Sequence, residues 1–169
     1  MWLFFFNFHT HMDKTETFFD QIRAGNLKVV SDLLKEDPGL LEGLDQRGST
    51  PLVLAAYYGH GDLVALLLEK GAKVDTADGV GNTALMGVCF KGHLGIAERL
   101  IAAGADVNHI NSMGATCLLY AVSFNRQPMA KLLLAHGADT TVRDAKGKTA
   151  LDYAREFGIA PLVDLLKDQ

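Results

Sequence analysis

The chain has 169 residues, 49% of them hydrophobic and 21% charged, with a net charge of −4. That length makes one compact domain or one continuous repeat array with a buried core, and the composition excludes intrinsic disorder. The acidic balance, with both signs interspersed, argues against nucleic acid as a partner, because phosphate needs a basic stripe.

The chain opens with MWLFFFNFHTHMDK. Trp2 to Phe8 is nearly all apolar, but a membrane-spanning helix needs about 20 such residues, so no membrane span is expected. The basic region and small-residue cleavage site of a signal peptide are also missing. Met12 opens a more ordinary start. Residues 1–14 are therefore read as a non-repeat segment, and residues 1–11 as an appended tag or a misassigned start. Other readings attach to the same stretch. The apolar tail could dock in a groove, and homo-oligomers through residues 1–11 would then replace the expected monomer. His9 and His11 could hold a metal, but no further ligand stands near them.

Two helices are expected next, Phe18 to Ala24 and Leu27 to Lys35, joined at Gly25. Beyond them the chain repeats. Gly48, Gly81, Gly114 and Gly147 recur every 33 residues. Thr50, Thr83, Thr116 and Thr149 follow two residues later, then Leu52, Leu85, Leu118 and Leu151. Each threonine is an N-cap for a helix, and Pro51 fits the first helical position because its missing N–H costs nothing there. Gly59, Gly92 and Gly158 end these first helices in left-handed backbone, and Asn125 takes the same place as the next best residue. A second helix follows in each unit: DLVALLLEKG, LGIAERLIAAG and PMAKLLLAHG. Pro128 and Pro161 fall at its start, where proline is tolerated. Each unit is thus helix, tight turn, helix, glycine stop and extended connector.

The stretches GSTPLVLAAYYGHGDLVALLLEKGAKVD and GNTALMGVCFKGHLGIAERLIAAGADVN resemble ankyrin repeats. The resemblance covers residues 45–166, with residues 15–44 as a diverged first repeat. It implies an all-α ankyrin-repeat solenoid of helix-turn-helix units with projecting β-turn connectors. The single domain at 15–169 divides into an N-terminal capping repeat at 15–44 and full repeats at 45–77, 78–110 and 111–143. A C-terminal capping repeat spans 144–169. The resemblance also implies a non-catalytic protein-protein interaction module that binds another protein through its concave face. No cofactor follows from it.

Departures from the family pattern are informative. Histidine usually follows the TPL triplet, but here the positions hold Val53, Met86, Leu119 and Asp152. Drift towards apolar packing explains them best. Gly87 stands mid-helix where Leu54, Tyr120 and Tyr153 stand elsewhere, at a cost of about 1 kcal/mol relative to alanine. Tyr120 is expected to lean into the space above it. Carried over by position, the family's variable surface gives Gln46, Arg47, Ser49, Tyr57 and Tyr58, then Val80, Asn82, Phe90 and Lys91. Met113, Ala115, Ser123 and Phe124 follow, then Lys146, Lys148, Glu156 and Phe157. Tyr57, Tyr58, Phe90, Met113, Phe124 and Phe157 are expected to form one ladder, with about half of them partly buried between repeats. Aromatic residues and methionine are enriched at interface cores.

Chemistry is the competing reading. Cys89 aligns with the interior residues Ala56 and Val122, which predicts a buried, unreactive thiol. Cys117 falls at a helix start, the more activating place. His60 and His93 belong to Gly-His pairs and are expected to bond loop backbone. A thiol- or metal-dependent protein using Cys117, Cys89 or the N-terminal histidines is the alternative to the binding module, but no enzyme is expected. Two cysteines without a CxxC motif suit a reduced, cytoplasmic protein.

Overall fold

The structure, a computed structural model, describes residues 14–167. The readings attached to Trp2–Phe8, His9 and His11 lie outside the described residues. Every regular element among them is helical. Helix α1 covers 14–23 and α2 covers Leu27–Glu36, followed by a 3-10 turn at Pro38–Glu42. Four helix pairs come next. They are α3 (Pro51–Tyr57) with α4 (Gly61–Glu69), and α5 (Ala84–Lys91) with α6 (Leu94–Ala102). After them stand α7 (Cys117–Ser123) with α8 (Gln127–Ala135), and α9 (Ala150–Glu156) with α10 (Ala160–Lys167).

Local rules fix these boundaries. The hydroxyl oxygens of Thr50, Thr83, Thr116 and Thr149 accept the N–H of Val53, Met86, Leu119 and Asp152. Each bond satisfies an amide that the helix itself cannot reach. Asp152 adds the reciprocal bond, its carboxylate accepting from the Thr149 N–H. Val53, Met86 and Leu119 are buried, so the positions that lost histidine pack instead. Asn125 adopts φ 52°, the left-handed backbone expected of it.

The first helices α3, α5, α7 and α9 stack in one layer, and the second helices α4, α6, α8 and α10 in another. Between them lies one core, with Leu52, Leu85 and Leu118 from the first layer and Leu67, Leu100 and Leu133 from the second. No unit closes its own apolar face, so each is stable only against its neighbours. The charged residues Asp62, Glu69, Lys70, Glu98, Arg99, Lys131 and Lys167 all point to solvent on the second layer.

Neighbouring units also meet at a glycine. A Cβ at Gly59 (φ +80°) would lie 2.8 Å from the His93 ring of the next unit, and Gly25 stands in the same relation to His60. The two rings differ in orientation. His60 turns its Nδ1–Cε1 edge to Gly25, which frees Nε2 to donate to the Arg23 carbonyl at 3.0 Å. His93 turns its Nε2–Cε1 edge onto Gly59, and Nε2 is buried without a partner. The expected backbone bond of His93 is therefore not made. A Gly59→Ala substitution adds left-handed strain and a clash, and should cost more than about 1 kcal/mol in urea denaturation. Combining it with His93→Ala should recover the clash but not the strain. A double variant that recovers nothing would show that His93 is not what excludes a side chain at 59.

Candidate partner-binding face

The turns that join the units share one construction. Asp45, Asp78, Asn111 and Asp144 open them, also at a spacing of 33. The Oδ1 of each accepts two backbone N–H groups, from the residues two and four positions on: Arg47 and Ser49, Val80 and Asn82, Met113 and Ala115, Lys146 and Lys148. A short carboxylate or amide is the side chain that can close such a turn on its own backbone. Adjacent turns are joined as well. Ser112 donates its N–H and hydroxyl to the Val80 carbonyl, and the Ala145 N–H donates to the Met113 carbonyl.

The second atom of each turn side chain is left for other contacts, and the four units use it differently. Asp45 Oδ2 accepts from Arg23 of α1 at 2.7 Å, with its side chain only 3% exposed. Asp144 Oδ2 accepts the phenol of Tyr153 at 2.5 Å. Asn111 Nδ2 donates to the Tyr120 oxygen at 3.0 Å and to Asn82 Oδ1 at 2.8 Å. Asp78 Oδ2 has no hydrogen-bond partner among the described residues. The tyrosines stand nine positions after the turn residue, and Gly87 holds that place in the unit of Asp78.

Electrostatics follow this geometry. Burial alone would raise the Asp45 carboxyl, but the Ser49 and Arg47 N–H groups and the Arg23 guanidinium outweigh it and hold it low. Burial also opposes the shift at Asp144, and the Tyr153 phenol with the Lys148 and Lys146 amides again wins. The Asp144 carboxylate in turn pushes Tyr153 up to about 12. Burial raises Tyr120, helped by the nearby Asp78 charge.

The exposed rings form two groups rather than one ladder. Tyr57 contacts Tyr58 edge-on at 5.6 Å and stacks on Phe90 at 6.2 Å, and Phe90 meets Phe124 edge-on at 4.4 Å. Lys91 lies 5.0 Å over the Tyr57 ring. Phe157 pairs instead with Tyr153, 5.8 Å away. Phe90 is the most buried; Tyr57, Tyr58, Met113, Phe124 and Phe157 keep 38–53% of their surface, so each is partly covered. Arg47, Lys91 and Lys146 are exposed, Val80 and Met113 project at turn tips, and Ser49, Asn82 and Ser123 are half-buried. Gly87 also departs from expectation. A Cβ there would meet Tyr57 at 3.8 Å, an ordinary contact, and not Tyr120. The phenol of Tyr120 is held at its own turn by Asn111.

A cleft of about 970 Å³ opens on this face between α1, the first two turns and α3. Arg47, Ser49, Tyr57, Tyr58 and Val80 line it, as do Glu16, Arg23, Asp45 and Asp78, which spacing alone did not single out. The signal for the two aspartates was present, since they repeat in step with the glycines.

The thiols offer no comparable site. Cys89 and Cys117 are both fully buried. A hydrogen bond to Cys117, with burial, pushes Cys89 well above the ordinary thiol range. Among the described residues, no group of three or more His, Cys, Asp or Glu is placed to hold a metal, and no helix is long and apolar enough to cross a membrane. His109 binds the Gly81 carbonyl and His60 the Arg23 carbonyl, which makes both part of the scaffold.

Comparison with known proteins decides the family. A profile described as ankyrin repeats (3 copies) matches residues 18–111 and 85–169, nearly the whole described chain. The chain belongs to the ankyrin repeat family. It is 42% identical over 57 residues to mouse ankyrin repeat and SAM domain-containing protein 6, a match covering 34% of this chain and 6% of that protein. It is 41% identical over 63 residues to Xenopus laevis protein fem-1 homolog C, covering 35% of this chain and 10% of that protein. The human fem-1 homolog C is 40% identical over the same length. The matched part thus spans a tenth or less of these relatives. An ankyrin array is in general a protein-interaction module.

The Tyr153–Asp144 bond gives this face a pH signature. The folded-state value near 12 lies above the ordinary tyrosine value of 10.0, so unfolding releases the proton more readily than the native state does. The stabilisation is complete below pH 10 and is lost as pH rises towards 12. Tyr153→Phe should remove that alkaline loss from denaturation curves measured across this range. An unchanged slope in the variant would assign the loss to other groups.

Proposed function

We propose that this ankyrin array is a non-catalytic module that binds another protein on the concave face formed by its turns and first helices. The observation that carries this reading is the run Tyr58–Tyr57–Phe90–Phe124, rings in mutual contact and partly open to solvent, directly beside the cleft. Clustered, rigid aromatic surface next to a concavity is the chemistry of an interface core. Lys91 over Tyr57 and Arg47 at the first turn supply a polar rim. The binding surface in this reading comprises Arg47, Ser49, Tyr57, Tyr58, Val80, Asn82, Phe90, Lys91, Met113, Ser123, Phe124, Lys146 and Phe157. The module acts as a monomer in the cytoplasm; two unpaired thiols support a reducing compartment.

Thiol chemistry at Cys89 or Cys117 has little to support it. A nucleophile needs access, and both thiols are fully buried. Native-state alkylation should be slow at neutral pH.

Affinity capture from the source cells tests the main reading. Phe90→Asp and Phe124→Asp should each abolish capture of the partner while helical content is retained. Phe124 is 44% exposed, so its change is the gentler one for the fold. Glu98→Lys, on the outer layer, should leave capture unchanged. Capture that survives both aromatic changes would place the interface elsewhere.

A further inference from the structure

In two units of this chain a tyrosine on the first helix bonds the spare side-chain atom of its own turn residue. The Tyr153 hydroxyl donates to Asp144 Oδ2, and Tyr120 is bonded to Asn111 Nδ2. Each pair stands nine residues apart, on the first helix and on the turn residue. The unit of Asp78 keeps the turn residue but replaces the tyrosine with Gly87. The turn is intact: Asp78 Oδ1 still accepts from Val80 at 3.0 Å and from Asn82 at 2.8 Å. Asp78 Oδ2 lacks the phenol that its counterpart in Asp144 receives. A Cβ at Gly87 would touch only Tyr57, at 3.8 Å, with helical backbone and no strain. Leu54 is the aligned residue one unit earlier, and it lines the cleft together with Tyr57, Asp78 and Val80. The cleft therefore opens where the two tyrosine-free units adjoin.

We infer that the place vacated at Gly87 is a receptor slot for a tyrosine side chain of the bound partner, whose phenol donates to Asp78 Oδ2 as Tyr153 does to Asp144. The chain itself supplies the template. A ring that enters the cleft from outside meets Tyr57, Val80 and the Asp78 carboxylate, which line it together. Lys91 Nζ lies 5.0 Å over the Tyr57 ring. An apolar ring without a hydroxyl would leave the carboxylate unmatched, and this distinguishes tyrosine from phenylalanine. The inference rests on the proposed binding face and names the chemistry of what that face takes.

The test uses the full chain, nitrogen-labelled, titrated with N-acetyl-tyrosinamide and observed by amide NMR. Saturable shifts should appear at Gly87, Asp78, Val80 and Tyr57. N-acetyl-phenylalaninamide should bind about tenfold more weakly, the loss expected for one hydrogen bond to a charged acceptor. Gly87→Tyr should fill the slot from within and abolish the shifts. Gly87→Leu fills it without a hydroxyl and provides the same readout should the tyrosine variant fold poorly. Shifts that avoid Gly87 and Asp78, equal binding of the two analogues, or binding that persists in both variants would overturn the inference. Tighter binding of N-acetyl-argininamide would assign the slot to a cation instead and overturn it too. Binding seen only after residues 1–11 are deleted would make the chain's own tail the occupant and equally overturn the inference. The binding face is tested separately. A partner lost by Phe90→Asp but retained by Gly87→Tyr leaves the face standing and removes the tyrosine slot.

Discussion

One side-chain oxygen on each turn accepts two backbone N–H groups, and most of the candidate face depends on that arrangement. Asp45, Asp78, Asn111 and Asp144 each close their own turn in this way. A closed turn can project from the helical layers without leaving its amides unsatisfied. It also leaves one atom per unit unused by the turn. Arg23 takes that atom in the first unit and so ties α1 to the array. Phenols or amides take it in the last two units. The differences between nearly identical units arise here, in what meets the spare oxygen or nitrogen.

The helical layers have a different role. Leu67, Leu100 and Leu133 are fully buried between units, and the stack is held by their apolar contacts. Those contacts set the spacing at which rings on successive first helices can touch. Tyr57, Phe90 and Phe124 meet because α3, α5 and α7 lie side by side in one layer. Phe157 lies on the next helix yet turns to Tyr153, whose phenol is anchored at Asp144.

Much of the fold could be read from the sequence because its rules are short-ranged. Threonine caps, Pro51 at a helix start, glycine stops and Asn125 in left-handed backbone each involve a few neighbouring residues, and the structure shows them all. The period of 33 then carries one unit's reading to the next. What could not be read depends on orientation between units. The neighbour of Gly87 is Tyr57 rather than Tyr120, whose phenol is held between Asn111 of its own turn and Asn82 of the preceding one. His93 has no backbone bond because its ring edge faces Gly59. The aspartate and asparagine at each turn were in phase all along, but glycine was the more visible marker. The cleft was hidden because α1, the first two turns and α3 line it, and these are brought together only by the stacking of units.

In the binding mode proposed for this chain, the turns and first helices, not the outer layer, meet the partner. Hydrogen exchange of the captured complex against the free chain measures this directly. New protection is predicted at the amides of residues 46–49, 79–82 and 112–115 and along α5, with α4, α6 and α8 unchanged. Protection concentrated on the outward face of α4, α6 and α8, with the turns exchanging as in the free chain, would contradict it.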